Sequence, residues 1–128
     1  MKQGKWKLKV KKDFAAAHQL RNYNGKCENM HGHNFGVEVE VEGSKLDPKV
    51  EIVMDFKVLK NELADVLETL DHKHLNEIEY FKHRNPSSEN LARYVYEEMK
   101  KRVETDEIKL VYASVSENDS SVATYSEI

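Results

Sequence analysis

The feature of this chain that most restricts its fold is a change of hydrophobic period, from two near its ends to a helical repeat in its middle. Trp6, Leu8 and Val10 alternate with lysines, and Phe35, Val37, Val39 and Val41 alternate with Glu38, Glu40 and Glu42. Side chains on a strand alternate faces, so both runs read as strands with one apolar and one charged face. From Phe56 the apolar residues Leu59, Leu63, Val66, Leu67 and Leu70 fall three or four apart, with Asp55 placed to cap the start. That spacing predicts an amphipathic helix. Pro86-Ser87-Ser88-Glu89 reads as a second helix start, and Leu91, Val95, Met99 and Val103 carry its apolar stripe. Two β-rich runs, about 108–117 and 121–126, follow and are joined by Asn118-Asp119-Ser120. The order ββααββ predicts an α+β domain, an antiparallel sheet with two helices on one face.

Composition sets the remaining bounds. The 128 residues, 1–128, are expected to form one domain, with no internal repeat and no low-complexity linker. No apolar stretch is long enough to span a bilayer, and the lysine-rich start lacks the apolar region of a signal peptide, so the chain is expected to be cytoplasmic and unattached to membranes. A net charge of -3 gives no general reason to expect nucleic-acid binding. Lys5, Lys7, Lys9 and Lys11 alternate with apolar residues and read as the solvated face of a strand. Charged residues make up 34% of the chain, with Lys and Glu prominent, a balance that fits a heat-adapted source.

The chemistry concentrates in Cys27-Glu-Asn-Met-His31-Gly32-His33. In extended backbone His31 and His33 project together, and Gly32 between them is expected to let the chain run close to what they hold. His18, at the end of Phe14-Ala-Ala-Ala, is the third candidate ligand. Three neutral imidazoles leave a tetrahedral zinc ion one open position for water or substrate. Cys27 is the only cysteine, which excludes a disulfide framework and a paired-cysteine zinc finger. It completes a closed structural site as fourth ligand, stands off the metal as a reactive thiol, or is a buried inert cysteine. Asp71 beside His72 reads either as a solvated polar loop or as a candidate proton-transfer pair, and Glu117, at a strand end, either faces water or accepts paired N–H donors from a guanidine-like ligand edge.

The run Gly25, His31, His33 and Glu38 also imitates the first metal motif of the cupins, which are all-β barrels. Their second motif has no counterpart here, and a small barrel has no place for about fifty central residues of helix and connection. That reading is rejected.

Phe14-Ala-Ala-Ala-His18, Cys27-x-x-x-His31-Gly-His33, Asp55-Phe56, Leu70-Asp71-His72-Lys-His-Leu75-Asn76, Asn85-Pro86-Ser-Ser-Glu89 and Glu117 together resemble, in order, the 6-pyruvoyl-tetrahydropterin synthase family. The resemblance runs from about Phe14 to Glu117. The three-residue spacer after Cys27 looks like the 6-carboxy-5,6,7,8-tetrahydropterin synthase branch, since pyruvoyl-forming members typically have a longer one. Ser87 departs mildly from a usual threonine and keeps the hydroxyl.

The resemblance implies a tunnelling fold whose four-stranded sheets join edge to edge into a barrel, commonly as two stacked trimers with active sites at subunit interfaces. It implies zinc held by His18, His31 and His33, Cys27 as the proton-abstracting base, and His72 oriented by Asp71 as the partner acid or base. Glu117 resembles the pterin anchor, and Glu89 and Ser87 help to shape that pocket or simply cap the second helix. Asp55 is assigned to capping, and His74 and His83 carry no role. The implied reaction converts 7,8-dihydroneopterin triphosphate to 6-carboxy-tetrahydropterin, acetaldehyde and triphosphate, toward queuosine and related 7-deazapurines. The alternatives are pyruvoyl-forming activity on the same substrate and a noncatalytic zinc-binding domain.

Overall fold

A computed structural model describes residues 2–128 of the chain, apart from the side chain of Cys27. Strands β1 (Trp6–His18), β2 (His31–Gly43), β3 (Lys109–Asn118) and β4 (Ser121–Tyr125) form one antiparallel sheet in the order β1-β2-β3-β4. Helices α1 (Phe56–Glu68) and α2 (Ser88–Val103) connect β2 to β3 and cover one face. The architecture is the ββααββ arrangement that the periodicity predicts. Among the described residues no helix is long and apolar enough to cross a membrane.

The sheet divides its two faces by alternation. Leu8, Val10 and Phe14 of β1, Phe35, Val37, Val39 and Val41 of β2, and Leu110, Ala113 and Val115 of β3 are buried beneath the helices. Leu59, Leu63, Val66 and Leu67 of α1, with Leu91, Val95, Tyr96, Met99 and Val103 of α2, form the facing layer. The opposite face carries the lysines, which meet the β2 glutamates: Lys5 Nζ lies 2.8 Å from Glu42, Lys9 3.7 Å and Lys11 3.4 Å from Glu38. Tyr112 of β3 donates its hydroxyl to Glu38.

Both helix starts are capped. Asp55 accepts from the Lys57 N–H at 2.8 Å, and Ser87 Oγ accepts from the Asn90 N–H at 3.2 Å. The first helix ends earlier than its apolar spacing suggests: Thr69 is the C-cap, and Leu70, fully buried, lies beyond it.

Two departures from the sequence reading concern lengths. β2 begins at His31 and not at Phe35, so the His31-Gly32-His33 motif is itself strand. The stretch between the helices contains 3-10 turns at Leu75–Glu77 and Glu79–Phe81, whose Leu75 and Phe81 are completely buried. Isolated apolar residues in such short turns leave no repeat to detect.

Residues just after α1 also pair with the outer edge of β1. The His72 N–H donates to the Ala15 carbonyl, the Ala17 N–H donates to the Lys73 carbonyl, and the Ala15 N–H donates to the Asp71 carboxylate at 2.9 Å. That edge is thereby occupied near its C-terminal end, where an open strand edge would otherwise invite pairing.

Leu63, 0% exposed at the centre of α1, tests this packing. Leu63→Ala is expected to lower stability by roughly 2–5 kcal/mol, whereas Val50→Ala, at a 66% exposed position, should stay within about 0.5 kcal/mol of the parent. Denaturant unfolding at one fixed protein concentration measures both.

Candidate active site

The ladder between β1 and β2 continues past the helix-covered core and ends in histidines. His18 pairs directly with His31, and His33 lies opposite Ala16. Because these positions share the parity of Phe14 and Phe35, the three rings gather on the helix face of the sheet. Each offers one ligand atom, and those atoms all lie within 4.8 Å of one another. The rings stand edge to face, with centroids 4.5–5.4 Å apart.

Hydrogen bonding settles which nitrogens face inward. His18 Nδ1 lies 2.7 Å from the Pro86 carbonyl, and His31 Nδ1 lies 2.8 Å from the Asn29 carbonyl. A carbonyl only accepts, so each Nδ1 bears a proton, and in the neutral ring Nε2 is then the nitrogen with a free lone pair. Nε2 of His18 and of His33 is buried without a hydrogen-bond partner. Burial holds the His18 ring below the ordinary imidazole range, against the pull of the Pro86 carbonyl, and the neighbouring rings of His31 and His33 push the same way. Neutral imidazoles with unshared Nε2 lone pairs are what a zinc site of the three-histidine type requires, and the donor set fits that ion.

Glu117 joins the cluster from β3. Its carboxylate oxygens lie 3.5 Å from His18 Nε2 and 3.6 Å from His33 Nε2. The β3–β4 register shifts between Ser116 and Asn118, which leaves Glu117 without a partner on β4. Beside it opens a pocket of about 260 Å³ lined by Leu20, Ser87, Ser88, Glu89, Glu117 and residues 121–123. The structure therefore brings Ser87 and Glu89 to the same pocket as Glu117, while Ser87 also caps α2. Ser88 and Ser121 line this pocket too, and nothing in their local sequence marks them.

Asp71 and His72 are in contact with each other, Asp71 Oδ2 lying 2.8 Å from His72 Nδ1. The Ala15 N–H, and after it the His72 ring, hold the Asp71 carboxyl below its usual range. His72 adopts a left-handed backbone, φ 58°, and its side chain is 81% exposed. Residues without special freedom seldom occupy that region unless their surroundings hold them there. The pair lies on the outer edge of β1, and among the described residues no polar contact joins it to the histidine cluster.

Within this chain a Cβ at Gly32 would meet only the Ala16 carbonyl, at an ordinary 3.7 Å. The role expected for the Cys27 thiol lies outside the described residues. A larger cavity, about 460 Å³, lies at the opposite end of the sheet around Trp6, Ile52 and Phe56. Its Asp55 is occupied in capping α1.

The profile of the 6-pyruvoyl tetrahydropterin synthase family matches residues 7–128. A Pyrococcus furiosus protein named dihydroneopterin monophosphate aldolase is 38% identical over 106 residues, covering 83% of this chain and 84% of its own length. A Synechocystis protein named 6-carboxy-5,6,7,8-tetrahydropterin synthase is 36% identical over 95 residues, covering 71% and 72%. The solved 6-pyruvoyl tetrahydropterin synthase of Caenorhabditis elegans superposes with a TM-score of 0.86 at 29% identity, over 100% of this chain and 99% of that one. With the profile running from Lys7 to Ile128 and the fold shared along its full length, this chain belongs to the 6-pyruvoyl tetrahydropterin synthase family.

Proposed function

We propose that this protein is a zinc-dependent 6-carboxy-5,6,7,8-tetrahydropterin synthase, converting 7,8-dihydroneopterin triphosphate and water to 6-carboxy-tetrahydropterin, acetaldehyde and triphosphate for queuosine and related 7-deazapurines. The observation that carries the reading is the convergence of one ring nitrogen from each of three histidines beside a carboxylate and an open pocket. The spacer of three residues between Cys27 and His31 supports the carboxy-forming branch, as does the similarity to the Synechocystis protein of that name.

His18, His31 and His33 hold the metal in this reading. Zinc there supplies Lewis acidity toward side-chain oxygens of the substrate. Glu117 receives the amino-pyrimidine edge of the pterin, pairing its two oxygens with adjacent N–H donors. Ser87 and Glu89 shape the same pocket. Cys27, as thiolate in a positive field, takes a proton from the substrate side chain, and His72, oriented by Asp71, exchanges the second proton. The exposure of His72 and its distance from the cluster in topology fit a homohexamer, a dimer of trimers, in which one copy's pair serves a neighbour's site.

One observation favours a second reading. The Pyrococcus furiosus relative is named an aldolase for a monophosphate, so cleavage of a dihydroneopterin phosphate side chain without formation of a carboxy product is the nearest rival. Pyruvoyl-forming activity is the other.

Incubation of zinc-loaded protein with 7,8-dihydroneopterin triphosphate, followed by mass analysis, separates the three. Acetaldehyde with the carboxy product is the expected result; a pyruvoyl product or a cleaved dihydropterin reassigns the chain. Cys27→Ala should retain stoichiometric zinc and the parent melting temperature while turnover falls by about 10²–10⁴-fold; a zinc-free, early-melting variant instead indicates a closed structural site. Glu117→Gln should raise KM by at least about tenfold without loss of bound metal, as measured by steady-state kinetics and metal analysis.

A further inference from the structure

Beyond His18 the chain leaves the sheet, yet its backbone keeps partners. The Asn76 carboxamide accepts from the Gln19 N–H at 2.9 Å and donates to the Gln19 carbonyl at 3.0 Å. The Asn85 carboxamide does the same for Arg21, at 2.8 Å and 3.0 Å. A carboxamide presents a donor and an acceptor side by side, as the backbone of a neighbouring strand does. Two side chains thus stand in for a missing strand and satisfy residues 19 and 21.

These clasps close a circuit around His18. The Arg21 guanidinium reaches the carbonyls of Asn76 at 3.3 Å and Arg84 at 3.1 Å, binding the same segment from outside. The Asn85 carbonyl accepts from Asn90 of α2 at 2.9 Å. The next residue, Pro86, supplies the carbonyl that receives His18 Nδ1–H. The position of that carbonyl relative to His18 is therefore set by the clasp between Arg21 and Asn85, one residue before Pro86 and three after His18. Hydrogen bonds to the non-ligating nitrogen orient a ligand histidine and fix its tautomer.

We propose that Asn76 and Asn85 are positioning residues for the metal: by clasping Gln19 and Arg21 they hold the Pro86 carbonyl against His18 and keep its Nε2 aimed at His31 and His33. This inference rests on the metal reading of the histidine cluster. A purely structural role for the asparagines predicts lower stability with unchanged metal binding by the folded protein.

The test measures zinc affinity by chelator competition, the visible spectrum of the cobalt-loaded protein, and melting of the metal-free form. Asn76→Ala and Asn85→Ala are expected to bind zinc about 10–100-fold more weakly, with cobalt bands shifted and weakened. Thr105→Ala is the stability control, because its hydroxyl only holds the turn before β3, accepting from the N–H groups of Glu107 and Ile108; it should melt lower while keeping parent affinity and spectrum. Asn85→Asp, which keeps the acceptor and loses the donor, replaces the alanine variant if that one does not fold, with the same expectation. Parent-like affinity and spectrum in folded asparagine variants overturn the inference and leave the metal reading standing. Failure of all three asparagine variants to fold also overturns it, since the clasps are then structural. Parent protein that binds neither ion, or His18→Ala that binds as well as the parent, overturns the inference and the metal reading together.

Discussion

The register of one antiparallel pair, β1 against β2, governs the placement of everything else. The pairing runs unbroken from Trp6 opposite Gly43 to His18 opposite His31. A slip of one residue would turn one strand's side chains to the other face, parting Phe14 from Phe35 and His18 from His31 and His33. Stacking of Phe14 on Phe35, with centroids 4.9 Å apart, and the buried valines of β2 set the apolar face. On the other face Lys7, Lys9 and Lys11 of β1 lie against Glu38 and Glu40 of β2. Exposed ion pairs add little stability one by one, but a one-residue slip would part each lysine from its glutamate and carry one strand's charged side chains to the helix-covered face.

The same ladder explains why the histidine cluster is unusual for a protein interior. It lies where the apolar face runs out from under the helices, beside Phe35, whose ring is 5.2 Å from that of His18. A buried ring nitrogen without a partner costs free energy that packing alone does not return. His18 and His33 both carry such a nitrogen. That cost is explicable if the cluster is arranged for a bound cation, because an ion gives each lone pair the partner that the protein withholds.

Much of this was legible from residue order. The alternation of Leu8 and Val10 and of Val37, Val39 and Val41 marks strands, the spacing of Leu59, Leu63, Val66 and Leu67 marks a helix, and both caps stand where Asp55 and Ser87 were expected. His31 and His33, two apart, declared a shared face once the segment was strand. The stretch 71–85 was not legible, because Leu75 and Phe81 enter the core singly from short turns.

By itself the sequence determined the element order and the parity of the clustered histidines, since both are properties of local periodicity. Tertiary structure alone decided which groups surround those histidines. The Pro86 carbonyl that orients His18, the N–H of Ala15 that engages Asp71, and the approach of Glu117 to His18 and His33 all join segments far apart in the chain. Such contacts depend on how two helices and their connection lie across a twisted sheet, and a repeat within ten or fifteen residues carries no record of that placement.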